Sequence, residues 1–274
     1  MSKYKILICG YGNIGQHLYK ELEPLKQWNV ATIDIYDKYK NKEINGDRLL
    51  ASNEQYDYMF ICVPTEMKDD GSADISQVEG CINLFTEVDT IVIKSAIPVG
   101  TAESFNKPNI VVSPEYWGTT QHCLEQDFMV LGGDIKYTEK VYKLYTEFKN
   151  GYYHFYQVDW RTAELVKYME NAWVATKVTF CNEFARIAKA FDVPYSKLRE
   201  CWIADKRVSP SHTYVDEDKP YYDSHCLNKD IPALISVCEE KKVRIPLLKE
   251  VLRTNNLERI LKDIEDDKEE ELPI

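Results

Sequence analysis

Three features of the chain predict an α/β fold with a doubly wound parallel sheet, one long helix after it and a smaller helical region last. Short apolar runs that end at glycine or at acids alternate with stretches of helical spacing through the first half of the sequence. The first of these runs closes on a glycine cluster, "GYGNIG", and no Gly or Pro interrupts the stretch from Val158 to Val193. Taken in order, "YKILICGYG" is a strand, "NIGQHLYKELEPL" spaces its apolar residues as a helix does, and "NVATIDIYD" is a second strand that ends in acids. Further strands are expected at "YDYMFICVP", "DTIVIKSAIP", "NIVVSPE" and "FMVLGG", joined by polar or helical connections. Beyond Val158 apolar residues recur at three and four positions, Asp159 and Thr162 are candidate caps, and Pro194 follows the end. At 1.5 Å per residue this is a helix of about 45 Å or more. A helix that long forms the backbone of a second domain or a dimer interface. A short helix from Ser196 to Ile203, a polar loop to His225 and helices from about Ile231 complete the chain. The domains expected are 1–156, 157–262 and an acidic tail, 263–274.

The 274 residues carry a net charge of −11, and "DIEDDKEEE" alone holds seven acids against one lysine. That block is expected to be a solvated or disordered tail, and the absence of a basic stripe argues against nucleic-acid binding. The chain enters its first apolar run at once, without the pattern of a signal peptide, and no apolar run approaches the roughly 20 residues that span a bilayer. The eight cysteines, at 9, 62, 81, 123, 181, 201, 226 and 238, form no C-x-x-C pair. They are expected to be reduced thiols of a cytoplasmic protein, with neither a disulfide framework nor a metal site.

Gly10, Gly12 and Gly15 make G-x-G-x-x-G between the first strand and the first helix. The first glycine permits the tight turn, the second lets the backbone approach a pyrophosphate and the third allows close helix–strand packing. Asp34, about twenty residues on, is expected to end the second strand and bond the adenine ribose, with Asp37 as a substitute. An acid there repels a 2′-phosphate, and no arginine accompanies it, so the cofactor expected of this Rossmann-type domain is NAD rather than NADP.

Lys167 and Asn171 are spaced i, i+4 on the long helix, with Glu164 a turn earlier. They suit the proton of an alcohol that loses hydride, and equally an exposed face with an incidental ion pair. Glu115, in "SPEYWG", follows a strand at the sheet's carboxyl end, where ligands bind, or is a loop acid without a role. Cys226 precedes "LNKDIPAL", which starts a helix. A helix N-terminus and Lys229 favour the thiolate, and Asp230 suits a water-handling role. Cys9, Cys62, Cys81, Cys181 and Cys238 are better explained by packing.

The order "GYGNIG", "ICVPTEMKDDGSADIS", "VIKSAIPVGTAE", "VVSPEYW", "AELVKYMENAWVATKVTFCNEFARIA" and "HCLNKDIPAL" resembles the UDP-glucose/GDP-mannose dehydrogenase family. The resemblance covers about residues 3 to 250. It implies a dimer built on the long helix and a twofold, NAD-dependent oxidation of a nucleotide-sugar alcohol to a uronate. The family's cysteine matches Cys226, which would add to the aldehyde as a thiohemiacetal, be oxidised to a thioester and be released by water. The resemblance assigns catalysis to Cys226, Lys167, Asn171, Asp230 and Glu115. It assigns NAD contacts to Gly10, Gly12, Asn13, Ile14, Gly15, Asp34, Val63, Pro64, Thr65, Ser95 and Lys229. Glu115, Tyr116, Trp117, Lys167, Asn171 and Arg207 would bind the substrate, Arg207 from across the dimer.

Three departures stand out. Ala96 replaces the threonine of the family's "KSTVP" motif, which removes a hydrogen bond of about 1 kcal/mol. "YYDSH", Tyr221 to His225, replaces a glycine-rich loop before the cysteine, and "PEYWGTTQH" also diverges. By this resemblance the family's C-terminal nucleotide-binding domain would be expected to begin near the last residues given. Two rival readings remain: a single-step 3-hydroxy-acid-type dehydrogenase using Lys167, and a catalytically impaired NAD-binding partner of a longer dehydrogenase.

Overall fold

The computed structural model describes residues 2–40, 54–116, 126–149 and 151–270. Its elements are β1 (Tyr4–Cys9), α1 (Asn13–Gln27), β2 (Ala31–Tyr36), β3 (Tyr56–Ile61), α2 (Ser76–Leu84), β4 (Val88–Ile93), α3 (Thr101–Ser104), β5 (Ile110–Val112), β6 (Phe128–Gly133), α4 (Ile135–Thr146) and β7 (His154–Val158). Helices α5 (Trp160–Ala190), α6 (Tyr195–Ile203), α7 (His225–Glu240) and α8 (Pro246–Glu270) follow. The described residues divide into two compact units, 1–68 with 73–167, and 69–72 with 168–274. The division falls inside α5.

In the first unit a seven-stranded sheet runs in the order β2-β1-β3-β4-β5-β6-β7. Alternation along each strand explains why it is buried on both faces. Leu7, Cys9, Met59, Ile61, Ile91 and Ile93 face one apolar cluster, which includes α2. Ile6, Ile8, Tyr58, Phe60 and Val92 face the other, with Leu18, Leu22 and Leu25 of α1 and Val141 and Leu144 of α4. Each fully buried Leu or Ile stabilises by about 1.5–3 kcal/mol. β1 and β3 are neighbours, and the chain leaves them toward opposite sides, so the switch point lies at their carboxyl ends.

The strands expected from the sequence are present, with two corrections. β6 runs antiparallel to β5, so the sheet is mostly rather than wholly parallel. β7 was not foreseen, because an edge strand, paired among the described residues with β6 alone, keeps exposed polar and aromatic positions instead of an apolar run. The long helix is as expected, 31 residues from Trp160. Asp159 caps it, accepting from Thr162 N at 3.0 Å and from Thr162 Oγ1 at 2.6 Å. Those bonds hold the Asp159 carboxyl below its ordinary range. At the far end Asp192 takes φ 56°, and Val193 N–H returns to Ala188 O, closing a Schellman turn before Pro194. The run expected as a solvated or disordered tail is helical in its backbone to Glu270, in keeping with its content of good helix formers and no Pro before Pro273. Among the described residues no helix is long and apolar enough to cross a membrane.

Candidate functional site

The first unit carries a nucleotide cradle at the switch point. Gly10 has φ +91°, and a Cβ there would lie 2.8 Å from Cys62 O, because the β1 and β3 ends are bound tightly by Cys62 N–H to Cys9 O at 2.7 Å. A Cβ on Gly15 would meet Gly10 O at 1.9 Å. Gly12 is different, since among the described residues nothing lies within 4 Å of its Cβ position, and it starts α1 without a side-chain cap. The first turn of α1, with Asn13 and Ile14, therefore offers its backbone N–H groups to an open space, the arrangement that accepts a pyrophosphate. These residues fit a dinucleotide.

Asp34 does not end β2. It pairs with Leu7 inside the strand, and Tyr56 OH donates to its Oδ2 at 3.1 Å. β2 continues to Tyr36, whose carbonyl accepts from Gly10 N–H at 2.8 Å. The acid beside the glycine turn is Asp37, which accepts from Tyr11 N at 2.7 Å and from Tyr39 N and Lys40 N. Thr65 Oγ1 donates to Ala96 O at 2.7 Å and Ser95 Oγ to Val63 O at 2.6 Å, so these hydroxyls tie the segments following β3 and β4, with Val63 and Pro64, into one rim.

Behind that rim lies a charge the sequence reasoning missed. Lys94 is 5 % exposed, and its Nζ stands 3.2 Å from Glu115 Oε2. Burial pulls the ammonium's pKa down, but Glu115 and other neighbouring groups outweigh it and leave it raised. A lysine within an otherwise apolar "TIVIK" run was the available signal, because a buried charge requires a partner. Glu115 Oε1 also accepts from Tyr116 N at 2.9 Å, and Lys167 Nζ lies 4.8 Å over the Tyr116 ring. Glu164, a turn before Lys167, accepts from Gly100 N at 2.6 Å and Ala102 N at 2.9 Å. Its exposed-face pairing with Lys167 is thus replaced by a buried capping role. Trp117 lies outside the described residues.

In the second unit Ser224 caps α7, accepting from Leu227 N, and Cys226 stands exposed in the first turn. One turn on, Asp230 is buried and both its oxygens are engaged, Oδ2 by Asn171 Nδ2 at 2.6 Å and Oδ1 by Lys229 Nζ at 2.5 Å. The structure thus brings Asn171, Lys229 and Asp230 together beside the turn that carries Cys226. Arg207 is exposed and paired with Asp205 at 2.6 Å.

Known proteins resemble this chain over both of these regions. Residues 20–149 match the NAD binding domain, and residues 161–257 the central domain, of the UDP-glucose/GDP-mannose dehydrogenase family. UDP-glucose 6-dehydrogenase of Rickettsia prowazekii is 28 % identical over 260 residues, covering 85 % of this chain and 59 % of that protein. UDP-glucose 6-dehydrogenase YwqF of Bacillus subtilis is 29 % identical over 254 residues, covering 86 % and 54 %. The chain thus spans just over half the length of these curated relatives. A UDP-D-ManNAc dehydrogenase of Pyrococcus horikoshii superposes with a TM-score of 0.77 at 23 % identity, over 94 % of this chain and 69 % of the other. A UDP-glucose dehydrogenase of Pyrobaculum islandicum gives 0.74 at 22 %, over 93 % and 68 %. These two share the fold.

Proposed function

The chain belongs to the UDP-glucose/GDP-mannose dehydrogenase family, and we propose that it oxidises the primary alcohol of a nucleotide-linked sugar, UDP-glucose first among them, to the uronic acid through a covalent intermediate on Cys226. The observation that carries this reading is an exposed thiol on the first turn of α7, one turn from the Asn171–Asp230–Lys229 network. Bound NAD would accept a hydride from the substrate carbon in each of two oxidations.

The remaining work falls to this chain. The glycine turn and the α1 N-terminus hold the pyrophosphate, and Asp37 is the better placed of the two acids for the ribose. Lys167 and Asn171, a turn apart on α5, offer an ammonium and the second amide N–H to the reacting oxygen, where negative charge develops. Glu115, fixed by Lys94, and Tyr116 border the substrate. The Cys226 thiolate adds its electron pair to the aldehyde carbon of the first product while the carbonyl oxygen takes a proton from the Lys167 ammonium, giving a thiohemiacetal. The second oxidation leaves a thioester, and water attacks its carbonyl carbon, expelling the thiolate. Asp230 retains unused lone pairs with which to take a proton from that water. Alcohol, water and two NAD+ thus become acid, two NADH and two protons.

The exposed apolar residues of α5, Leu165, Met169, Trp173, Phe180, Phe184 and Ile187, recur at three, four and seven positions and support a homodimer through this helix. Reduced thiols and a nucleotide substrate agree with a cytoplasmic setting. Cys226→Ser tests the chemistry. Acid formation is expected to fall about a thousandfold or more, while NAD titration is unchanged. Full acid production by that variant removes the covalent route.

A further inference from the structure

We propose that Asn255 and Arg259 of α8 are positioning residues for Cys226, because their side chains hold the glycine-free loop before the cysteine and the helical turn on which it stands. The proposal rests on the reading of Cys226 as the nucleophile. The loop Tyr221–Ser224 contains no glycine, so its path is set by side chains rather than by a permissive backbone.

Asn255 is 2 % exposed, and its amide closes on the backbone of one loop residue from both sides. Tyr222 N–H donates to Asn255 Oδ1 at 2.7 Å, and Asn255 Nδ2 donates to Tyr222 O at 3.1 Å. A side-chain amide bonded to both the N–H and the C=O of one residue replaces a backbone partner there. The Tyr222 ring is itself buried, which anchors the same residue a third way.

One turn along α8, Arg259 Nη2 donates to Asp223 Oδ1 at 2.9 Å and to Asn228 Oδ1 at 3.2 Å. Asn228 Nδ2 also donates to Asp223 Oδ1, at 3.1 Å, so the three side chains join the loop to the first turn of α7. The guanidinium lies 5.3 Å from the Tyr221 ring. Between Ser224, which caps the helix, and Asn228, which Arg259 grips, stands Cys226. Its thiol inherits its place from bonds that end on α8.

The test uses the full chain without substrate. Iodoacetamide is added, and peptide mapping follows alkylation of Cys226 against Cys201, which is also exposed and lies on α6 as an internal control. In Asn255→Asp, which keeps the shape but loses the donor, and in Arg259→Met, the Cys226 to Cys201 rate ratio is expected to fall about fivefold or more as the helix N-terminus loses its fixed aim at the thiol. Arg259→Lys is expected to recover part of the loss. An unchanged ratio, or a common change in both cysteines, overturns the proposal. Arg259→Met lies at the surface and remains informative if Asn255→Asp does not fold. With NAD and a nucleotide sugar, the same variants are expected to lower kcat with little change in KM. Full acid formation by Cys226→Ser would defeat the nucleophile reading without touching the alkylation ratio, so the two failures are distinguishable.

Discussion

Lys94 and Glu115 show how much a single buried charge decides. Both are largely shut off from water, so removing one takes away the other's buried counter-charge. Lys94→Met is expected to destabilise the protein by about 3–5 kcal/mol, measured by urea unfolding. The double variant with Glu115→Gln should recover much of this, since it removes both buried charges. Glu115 was legible from its place after a strand, whereas Lys94 was not, because sequence spacing does not reveal which strand ends meet. Gly12 separates folding from binding at the same scale. A methyl group has open space there, so Gly12→Ala should keep its melting temperature but lose NAD affinity, whereas Gly15→Ala collides with Gly10 O and should lose the fold. An equal loss of stability in both would contradict the assignment of the Gly12 space to a ligand.

At the scale of elements, Glu164 joins α5 to the start of α3. Burial raises its carboxyl to about 7, against the opposing pull of the Ala102 and Gly100 N–H bonds. The folded chain therefore binds this proton more tightly than the unfolded chain, whose ordinary value is 4.5. Stability from this group is full below that value and is lost as pH rises through about 7. Between pH 5 and pH 8 the loss should be about 2–3 kcal/mol, and Glu164→Gln should flatten that part of the profile. Parallel pH profiles for the two proteins would contradict it. Element positions were largely legible, because β1, β3 and β4 are buried on both faces and α5 carries caps and no breaker. Pairing was less so. The extension of β2 past Asp34 depends on its register with β1, and the direction of β6 depends on the path from β5, neither of which is written in local periodicity.

For the whole molecule, the apolar stripe of α5 should bring two copies together. Sedimentation velocity is expected to give a dimer for the natural chain and a monomer for Trp173→Lys, and an unchanged mass in the variant would contradict the assigned face. The candidate site was legible in its residues more than in its bonds. Cys226, Asn171, Lys229 and Asp230 were named from the sequence, but the closing of Asp230 on two donors and the grip of α8 on the loop arise from tertiary packing of distant segments. The most direct measurement is NADH formed per substrate consumed, using purified protein, NAD and a panel of UDP- and GDP-sugars. Two NADH per acid are expected with at least one of these sugars. One NADH per substrate, or none across the panel while NAD binds, would contradict the twofold oxidation.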